Sequence, residues 1–280
     1  MRVLVTGSSG FTGKHLMAHL SEFGHDVYPL SSNLTNFDTL KKEVQEVQPE
    51  AVIHLAGIAA VGHENIDDFY NINLLGTRNL LASLAYREHY ISSVILSSSA
   101  HVYGNKGGGS LSETSKIVPG NDYAVSKYAM ELMAGLWKDD LPITITRPFN
   151  YTGKGQSNHF IIPKIVEHFR NKEDSISLGN IMLYREFGDV RDIIEIYRRL
   201  IEKPAVSQTL NLCTNEPTRL HDVIDICKEL TGHNIEVKIN QRFVRENEPE
   251  KLIGDDSKLR ELFPDLKRNS LVDTLSWMLS

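Results

Sequence analysis

Residues 2–13 read Arg2-Val3-Leu4-Val5-Thr6-Gly7-Ser8-Ser9-Gly10-Phe11-Thr12-Gly13. The first four of them are mostly apolar and β-branched, which predicts a strand. Residues 14–22 carry leucine and methionine at helical spacing, which predicts a helix. Glycine lets the backbone approach a pyrophosphate closely, and a helix N-terminus adds amide donors. A purely structural turn could share the Gly-x-x-Gly-x-x-Gly spacing, but the strand–turn–helix context predicts a dinucleotide site contacted by Gly7, Ser9, Gly10, Phe11, Thr12 and Gly13.

The end of the second predicted strand, His25–Leu30, bears on the choice of cofactor. In dinucleotide folds a carboxylate at that point holds the ribose of NAD, whereas an arginine accommodates the phosphate of NADP. The chain has Ser31 and Ser32 there. The missing acid favours NADP, and the missing arginine keeps that preference slight. We therefore expect NADP(H) or NAD(H), with NADP slightly favoured, and name Ser31, Asn33 and Leu34 as candidate contacts.

Predicted strands and helices alternate along the first half of the chain. A helix at 37–47 is followed by a buried strand at 51–55, a long helix at 71–87 and a strand at 94–96. This order predicts an α/β fold with a doubly wound parallel sheet of the Rossmann type. We expect an NAD(P)-binding domain at 1–150, to which residues 186–212 return, and a smaller interleaved substrate-binding region in 151–280.

Two strand ends are candidate binding positions, because open α/β sheets bind ligands at the carboxyl ends of their strands. The strand at 51–55 ends in Leu55, Ala56 and Gly57, beside which a flat cofactor can pass closely. The strand at 93–96 runs into Ser97, Ser98 and Ser99. These serines either hydrogen-bond a substrate oxygen or simply form a polar strand end. The glycine-rich loop 107–110 that follows is expected to lie over a substrate.

Tyr123 and Lys127 are four residues apart on a predicted helix that runs to about Trp137, so they share one face of it. An ammonium near a phenol stabilises the phenolate and lowers the phenol pKa from its usual value near ~10. Such a tyrosine can exchange a proton with a sugar hydroxyl or carbonyl oxygen. The pair alone is equally compatible with a solvated helix face.

Composition excludes several other classes of protein. The net charge of −6 leaves no basic stripe for nucleic acid, and no apolar run reaches the ~18 residues of a membrane span. The only cysteines, Cys213 and Cys227, lack metal-ligand spacing, and they indicate a reducing, cytoplasmic setting. We expect no metal, no nucleic acid and no membrane partner.

The glycine turn, the Ser99 strand end and the Tyr123-x-x-x-Lys127 pair, in this order, resemble the extended short-chain dehydrogenase/reductase family. The resemblance implies that Ser99, Tyr123 and Lys127 act together beside a nicotinamide ring. Ser99 matches the family serine because it directly precedes the Ala-His-Val-Tyr-Gly segment. The segment Asn71–Thr77 also resembles the family, which makes Asn73 a candidate cofactor contact together with Tyr123 and Lys127.

The second half of the chain resembles members that act on nucleotide sugars. Arg147-Pro148-Phe149-Asn150 implies a sugar or phosphate contact by Asn150, and the motif around Arg185 implies a contact with the diphosphate. Arg245-x-x-Glu248 resembles the GDP-mannose branch, in which the arginine grips phosphate and the glutamate accepts from ribose hydroxyls. A charged surface loop is the alternative for these residues. Ser98, Ser99 and His101 complete the candidate substrate contacts.

The resemblance implies reduction of the C4 keto group of a nucleotide-linked 4-keto-6-deoxysugar, GDP-linked, by an NAD(P)-dependent oxidoreductase. Dehydratases of this branch carry an acid at the place of His101, so dehydration is disfavoured. A 4-epimerase or epimerase–reductase, in which His101 or His159 moves protons, is one alternative. A non-catalytic NADP-sensing protein is another. Family members pair two helices about a two-fold axis, so Leu81, Leu84, Met130, Met133 and Leu136 are expected to support a homodimer.

Overall fold

The computed structural model describes residues 1–59, 65–86, 89–104, 109–241 and 251–280. By contacts the chain forms two compact units, and each is described by itself below. Unit 1 comprises 1–104, 116–148 and 194–210, and unit 2 comprises 105–115, 149–193 and 211–280.

The described strands, in chain order, are β1 Arg2–Thr6, β2 Asp26–Pro29, β3 Ala51–His54, β4 Ser93–Ser97, β5 Ser110–Leu111, β6 Ile143–Pro148, β7 Tyr151–Thr152, β8 Ser175–Leu178, β9 Tyr184–Arg185, β10 Gly188–Asp189, β11 Thr209–Leu212, β12 Thr218–Arg219, β13 Glu236–Ile239 and β14 Ile253–Gly254.

The described α-helices are α1 Phe11–Glu22, α2 Phe37–Val47, α3 Ile66–Asp68, α4 Thr77–Ala85, α5 Asp122–Ala134, α6 Ile161–Arg170, α7 Val190–Glu202, α8 Leu220–Thr231, α9 Ser257–Leu262 and α10 Leu271–Leu279. A π-helical segment, Phe69–Gly76, joins α3 to α4, and 3₁₀ turns occupy Ala100–Tyr103 and Gly135–Trp137.

The main sheet has six strands in the order β11-β6-β4-β3-β1-β2. The pairs β2–β1, β1–β3, β3–β4 and β4–β6 are all parallel. Chain order reverses at β1, because β2 lies on one side of it and β3 on the other. Open α/β sheets bind ligands at such a switch point, outside the carboxyl ends of the strands. The predicted doubly wound parallel fold is confirmed.

Burial explains why the strands of unit 1 could be predicted from the sequence. Every residue of Ala51–His54 is buried, and so are residues 3–6 of β1 and 93–96 of β4. Their side chains pack with Leu40, Leu80 and Leu84 of the flanking helices. A strand covered on both faces carries a continuous apolar run, as these do.

The predicted helix at 71–87 differs from the structure at its start. Asn65 caps the helix by accepting a hydrogen bond from the Asp67 amide, and the helical path then runs from Ile66 through the π-helical segment to Ala85. A π-helical segment shifts the helical phase, so apolar periodicity read at 3.6 residues per turn misses the first turns. Residues 87 and 88 lie outside the described chain.

In unit 2 a buried carboxylate joins three chain segments. Glu186 is fully buried, and one of its oxygens accepts from the Gly254 amide at 2.7 Å. The other accepts from the backbone amides of Thr214 at 2.5 Å and Asn215 at 3.0 Å. Burial raises the pKa of Glu186, and these hydrogen bonds oppose the shift. The carboxylate thus supplies hydrogen-bond acceptors for these three backbone amides.

An apolar stripe is exposed on the surface of α5 and of the 3₁₀ turn that follows it. Val125, Leu132 and Leu136 are 40%, 62% and 77% exposed, at spacings of seven and four residues. By contrast, Leu81, Leu84 and Met130 are completely buried in the core, so they cannot support a subunit interface as expected from sequence. The homodimer stays a prediction that light scattering at micromolar concentration would test. Within the described chain, no helix is both long and apolar enough to cross a bilayer.

Candidate active site

The glycine turn between β1 and α1 has no room for a side chain at Gly7 or Gly13. Gly7 has a φ of +68°, and a Cβ there would lie 2.7 Å from the Ala56 nitrogen. A Cβ on Gly13 would lie 2.2 Å from the Gly7 carbonyl oxygen. Gly10 is the N-cap of α1 and offers no side-chain acceptor to the first amides of the helix. This close-packed turn at a helix N-terminus fits the pyrophosphate of a dinucleotide.

Asn73 joins the loop after β3 to helix α5. Its Oδ1 accepts from the Ile58 amide at 2.8 Å, and its Nδ2 donates to the Ser126 hydroxyl at 3.0 Å. A Cβ on Gly57 would lie 2.8 Å from Asn73 Oδ1 and 3.1 Å from Lys127 Nζ. The candidate cofactor residues around Gly57, Asn73 and Lys127 are therefore in direct proximity.

Lys127 is 6% exposed, and its Nζ donates to the Ser97 carbonyl oxygen at 2.8 Å. Burial lowers the pKa of Lys127 to about 8, against the opposing charge of Glu131. A lysine with this pKa is still largely protonated at neutral pH and can stabilise a nearby anion.

Tyr123 and Ser99 lie within the same cluster. Tyr123 is 7% exposed and contacts the ring of His101, with 5.6 Å between ring centroids. Ser99 caps the 3₁₀ turn by accepting from the His101 amide at 3.2 Å. Lys127 thus contacts the chain two residues before Ser99, and Tyr123 contacts it two residues after Ser99. Helix α5 is held against this turn on both sides of the serine.

The two serines after β2 are bound by a residue that local sequence did not suggest. Glu43 of α2 accepts from the amide and the hydroxyl of Ser31, both at 2.8 Å, and from the Ser32 amide at 2.7 Å. Burial raises the pKa of Glu43, but these hydrogen bonds outweigh it and hold the pKa below its usual value. A carboxylate is therefore present beside Ser31 and Ser32 although none follows them directly. Asn33 folds back on Thr35, and Leu34 is buried in the core.

The remaining candidate residues are found elsewhere. Asn150 and Arg185 belong to unit 2, where Asn150 is exposed and its carbonyl oxygen accepts from the Gly188 amide. Arg185 donates to the Tyr184 carbonyl oxygen at 2.7 Å. His159 is also in unit 2 and exposed. Arg245 and Glu248 lie outside the described residues, as do Gly107 and Gly108.

A chain of hydrogen bonds under the site runs through a buried histidine, His54. Its Nδ1 lies 2.7 Å from the Thr6 hydroxyl, and its Nε2 lies 2.8 Å from the Thr77 hydroxyl. The Thr77 hydroxyl donates to the Asn73 carbonyl oxygen, so it accepts from Nε2. Nδ1 then has the lone pair and accepts from Thr6, whose oxygen also receives the Ala56 amide. This neutral tautomer links β1 and the loop after β3 to the segment that carries Asn73.

A family model described as "NAD dependent epimerase/dehydratase family" matches residues 3–213. The chain belongs to that family. The family resemblance read from the glycine turn and the Tyr–Lys pair is therefore confirmed, and with it the nicotinamide class of cofactor. A family of NAD-dependent enzymes also rules against the regulatory alternative.

Relatives of known description span nearly the whole chain. "GDP-6-deoxy-D-talose 4-dehydrogenase" of Aggregatibacter actinomycetemcomitans is 36% identical over 92% of this chain and 90% of its own. "GDP-6-deoxy-D-mannose reductase" of Pseudomonas aeruginosa is 30% identical over 93% and 90%. The structure of RMD from Pseudomonas aeruginosa complexed with NADPH superposes with a TM-score of 0.88, at 29% identity over 99% of this chain and 97% of that one.

Sequence reasoning missed the polar residues that support the site. Glu43 and His54 make their contacts with residues outside their own helix or strand, so no local motif signals them. His54 carried one signal, a histidine at the end of a strand whose other residues are all apolar. A buried polar side chain in such a strand must find partners, and these lie on neighbouring elements.

We predict that His54 makes the protein acid-labile. Burial, helped by the Lys127 charge, lowers the pKa of His54 to about 3 from 6.5. Between those two pKa values the unfolded chain binds a proton at His54 and the folded chain does not. The free energy of unfolding is therefore highest above pH ~6.5, and it falls by about 1.4 kcal/mol for each pH unit below that. Urea unfolding of His54→Leu should show lower stability at pH 7 but a shallower loss between pH 6 and 4.5. If the free energy of unfolding fell equally steeply with pH in the parent and in His54→Leu, this role of His54 would be contradicted.

Proposed function

We propose that this protein reduces the C4 keto group of a nucleotide-linked 4-keto-6-deoxysugar, with GDP-4-keto-6-deoxy-D-mannose as the substrate. The proposal rests on one observation above the others: Lys127 and Tyr123 contact the chain on either side of Ser99. We infer from these two contacts that a hydroxyl donor, a phenol and an ammonium act together at the carboxyl end of a sheet strand. Such a group polarises a carbonyl and protonates the resulting alkoxide.

Each of the three residues has a distinct task in this proposal. The Ser99 hydroxyl donates a hydrogen bond to the sugar carbonyl and orients it. Tyr123 delivers its phenolic proton to O4, and the Lys127 ammonium stabilises the phenolate that remains. A nicotinamide cofactor, when bound, supplies the hydride for C4. In this proposal Lys127 and Asn73 hold its ribose, and the glycine turn binds its pyrophosphate.

Two features support reduction over elimination of water. The position two residues after Ser99 is His101, so the carboxylate expected of a dehydratase is missing from that place. In addition, the names of both curated relatives describe oxidation or reduction of GDP-6-deoxyhexoses. The GDP part of the substrate is supported by these names and by the Arg245-x-x-Glu248 motif. Asn150 and Arg185 are proposed to contact the sugar or its diphosphate.

An epimerase–reductase is the second candidate, favoured by the contact between His101 and Tyr123. A histidine so close to the proton donor could exchange a proton at C3 or C5 before C4 is reduced. We propose instead that His101 only hydrogen-bonds a sugar hydroxyl.

We predict that reduction in deuterated water leaves C3 and C5 of the product unlabelled. The protein would be incubated with the keto-sugar and reduced cofactor, and the product examined by NMR and mass spectrometry. A reaction without enzyme corrects for spontaneous exchange. Enzyme-dependent deuterium at C3 or C5 that disappears in His101→Ala would establish the epimerase–reductase instead.

We predict that Tyr123→Phe abolishes nearly all turnover, by at least about a hundredfold, since it removes the proton donor and keeps the ring. Cofactor binding, measured by fluorescence titration, should stay within about twofold because the phenyl ring still fills the site. Tyr128→Phe, one turn further along α5, is the matched control and should keep its activity. Turnover of Tyr123→Phe within about tenfold of the parent would mean that another group is the acid.

We predict that Glu43→Gln improves NADPH binding relative to NADH. Glu43 uses the Ser31 and Ser32 donors that could otherwise bind a phosphate, and its charge repels one. Removing about 1 kcal/mol of repulsion should lower the ratio of the NADPH and NADH dissociation constants roughly fivefold. Glu46→Gln, an exposed residue of the same helix, should leave the ratio unchanged. If Glu43→Gln also left it unchanged, Glu43 would not act on cofactor choice.

A further inference from the structure

A buried ion pair lies one helical turn beyond Lys127, and the reaction proposed above makes no direct use of it. The guanidinium of Arg147 donates to both carboxylate oxygens of Glu131, from Nε at 3.0 Å and from Nη2 at 2.6 Å. The two side chains are only 6% and 5% exposed. Burial lowers the pKa of Arg147, but the hydrogen bond and charge of Glu131 outweigh it and raise the pKa above its usual value. The Arg147 guanidinium is therefore charged, and both side chains are almost out of contact with water.

Two further hydrogen bonds of this pair reach the segment that contains Ser99. The Ser98 hydroxyl donates to Glu131 Oε1 at 2.5 Å, directly before Ser99 in the chain. Arg147 Nη1 donates to the Tyr103 hydroxyl at 3.0 Å, at the last residue of the 3₁₀ turn. The segment 98–103 is thus fixed at both of its ends to one ion pair, and Ser99 and His101 lie between the two fixed points.

A buried ion pair contributes little to the free energy of folding. Removing two charges from water costs several kcal/mol each, and well-packed apolar residues in their place are often as stable. What an ion pair with a bidentate arginine adds is a defined geometry, because the guanidinium and carboxylate planes must match. That geometry is here transmitted to the turn of Ser99.

The Glu131 carboxylate also acts on the charge of Lys127. It lies four residues further along the same helix face, and its negative charge opposes the lowering of the Lys127 pKa by burial. Tyr123 lies four residues before Lys127 on α5, and the Lys127 charge helps to keep His54 of β3 neutral. Arg147 of β6 is bound to Glu131, so Glu131 is the anion whose charge supports the Lys127 ammonium.

We propose that Glu131, held by Arg147, is a positioning residue of this active site, which fixes the segment from Ser98 to Tyr103 against α5 and keeps the Lys127 ammonium charged. The turnover part of this inference rests on the proposed function. The part that concerns Lys127 does not, since it can be measured without any sugar.

The first experiment measures Lys127 directly. Competitive acetylation of the lysines of the protein at a series of pH values, followed by peptide mass spectrometry, gives the pH midpoint of Lys127 reactivity. We expect a midpoint near 8 in the parent. In Glu131→Gln the carboxylate is lost and the Arg147 charge is left unopposed, so the midpoint should fall by about 1 unit or more. An unchanged midpoint in folded Glu131→Gln would overturn the electrostatic role.

The second experiment tests positioning. Tyr103→Phe and Ser98→Ala each remove one hydroxyl and leave Glu131 and Arg147 in place. With the keto-sugar and NADPH, each should lower kcat on the order of tenfold, because a displaced Ser99 hydroxyl is no longer aligned with the sugar carbonyl. The cofactor dissociation constant and the Lys127 midpoint should stay at the parent values. Parental kcat in both variants would overturn the positioning role, whether or not Glu131→Gln folds.

Glu195→Gln is the matched control for loss of a partly buried carboxylate. Glu195 of α7 accepts hydrogen bonds from Arg198, Arg199 and His19, all in the same unit. This variant should lose stability while its Lys127 midpoint and kcat stay parental. If it lowered the Lys127 midpoint as Glu131→Gln does and kcat as Tyr103→Phe and Ser98→Ala do, the effects would be those of general destabilisation and the inference would fall. If the parent reduces no keto-sugar, the proposed function fails, and the acetylation midpoints still decide the role of Glu131 toward Lys127.

Discussion

One hydrogen bond, from the Lys127 ammonium to the Ser97 carbonyl oxygen at 2.8 Å, ties helix α5 to the end of strand β4. It places a cation in a position where burial would otherwise expel or neutralise it. The accepting carbonyl belongs to the last residue of β4. Helix and strand end are thus joined by the same side chain that the proposed chemistry needs.

The polar groups that surround this bond form two chains beneath the site. One runs from the Ala56 amide through Thr6, His54 and Thr77 to the Asn73 carbonyl, and the other joins Ser98, Glu131, Arg147 and Tyr103. Each of these side chains has hydrogen-bond partners in the network, which is the condition under which buried polar groups can be tolerated. The two chains connect the loop after β1 and the Ser99 turn to the elements that flank them.

Much of unit 1 was predictable from local pattern. The glycine turn, α2 at Phe37–Val47 and the alternation of buried strands with amphipathic helices are all short-range signals, and the structure has them where they were expected. The Tyr123–Lys127 spacing indicated a shared helix face for the same reason. The start of the helix at Ile66 was missed because the π-helical segment breaks the periodicity on which the prediction depended.

The supporting residues could not be predicted, because their partners are distant in sequence. Glu43 reaches Ser31 and Ser32 from another element, and Arg147 pairs with Glu131 across sixteen residues. Met130, Leu81 and Leu84, expected at a subunit surface, are buried because apolar spacing does not tell which side of a helix faces the sheet. The local sequence also gave no account of how burial and Glu131 together set the Lys127 charge.

The central claim is that the Ser99, Tyr123 and Lys127 cluster serves transfer of hydride to C4 of a keto-sugar. The most direct measurement uses reduced cofactor deuterated at its transferable position, with GDP-4-keto-6-deoxy-D-mannose in ordinary water, followed by NMR of the product. The account predicts one deuterium at C4 and stoichiometric oxidation of the cofactor. A sugar product without deuterium at C4, or one formed without net consumption of cofactor, would contradict it.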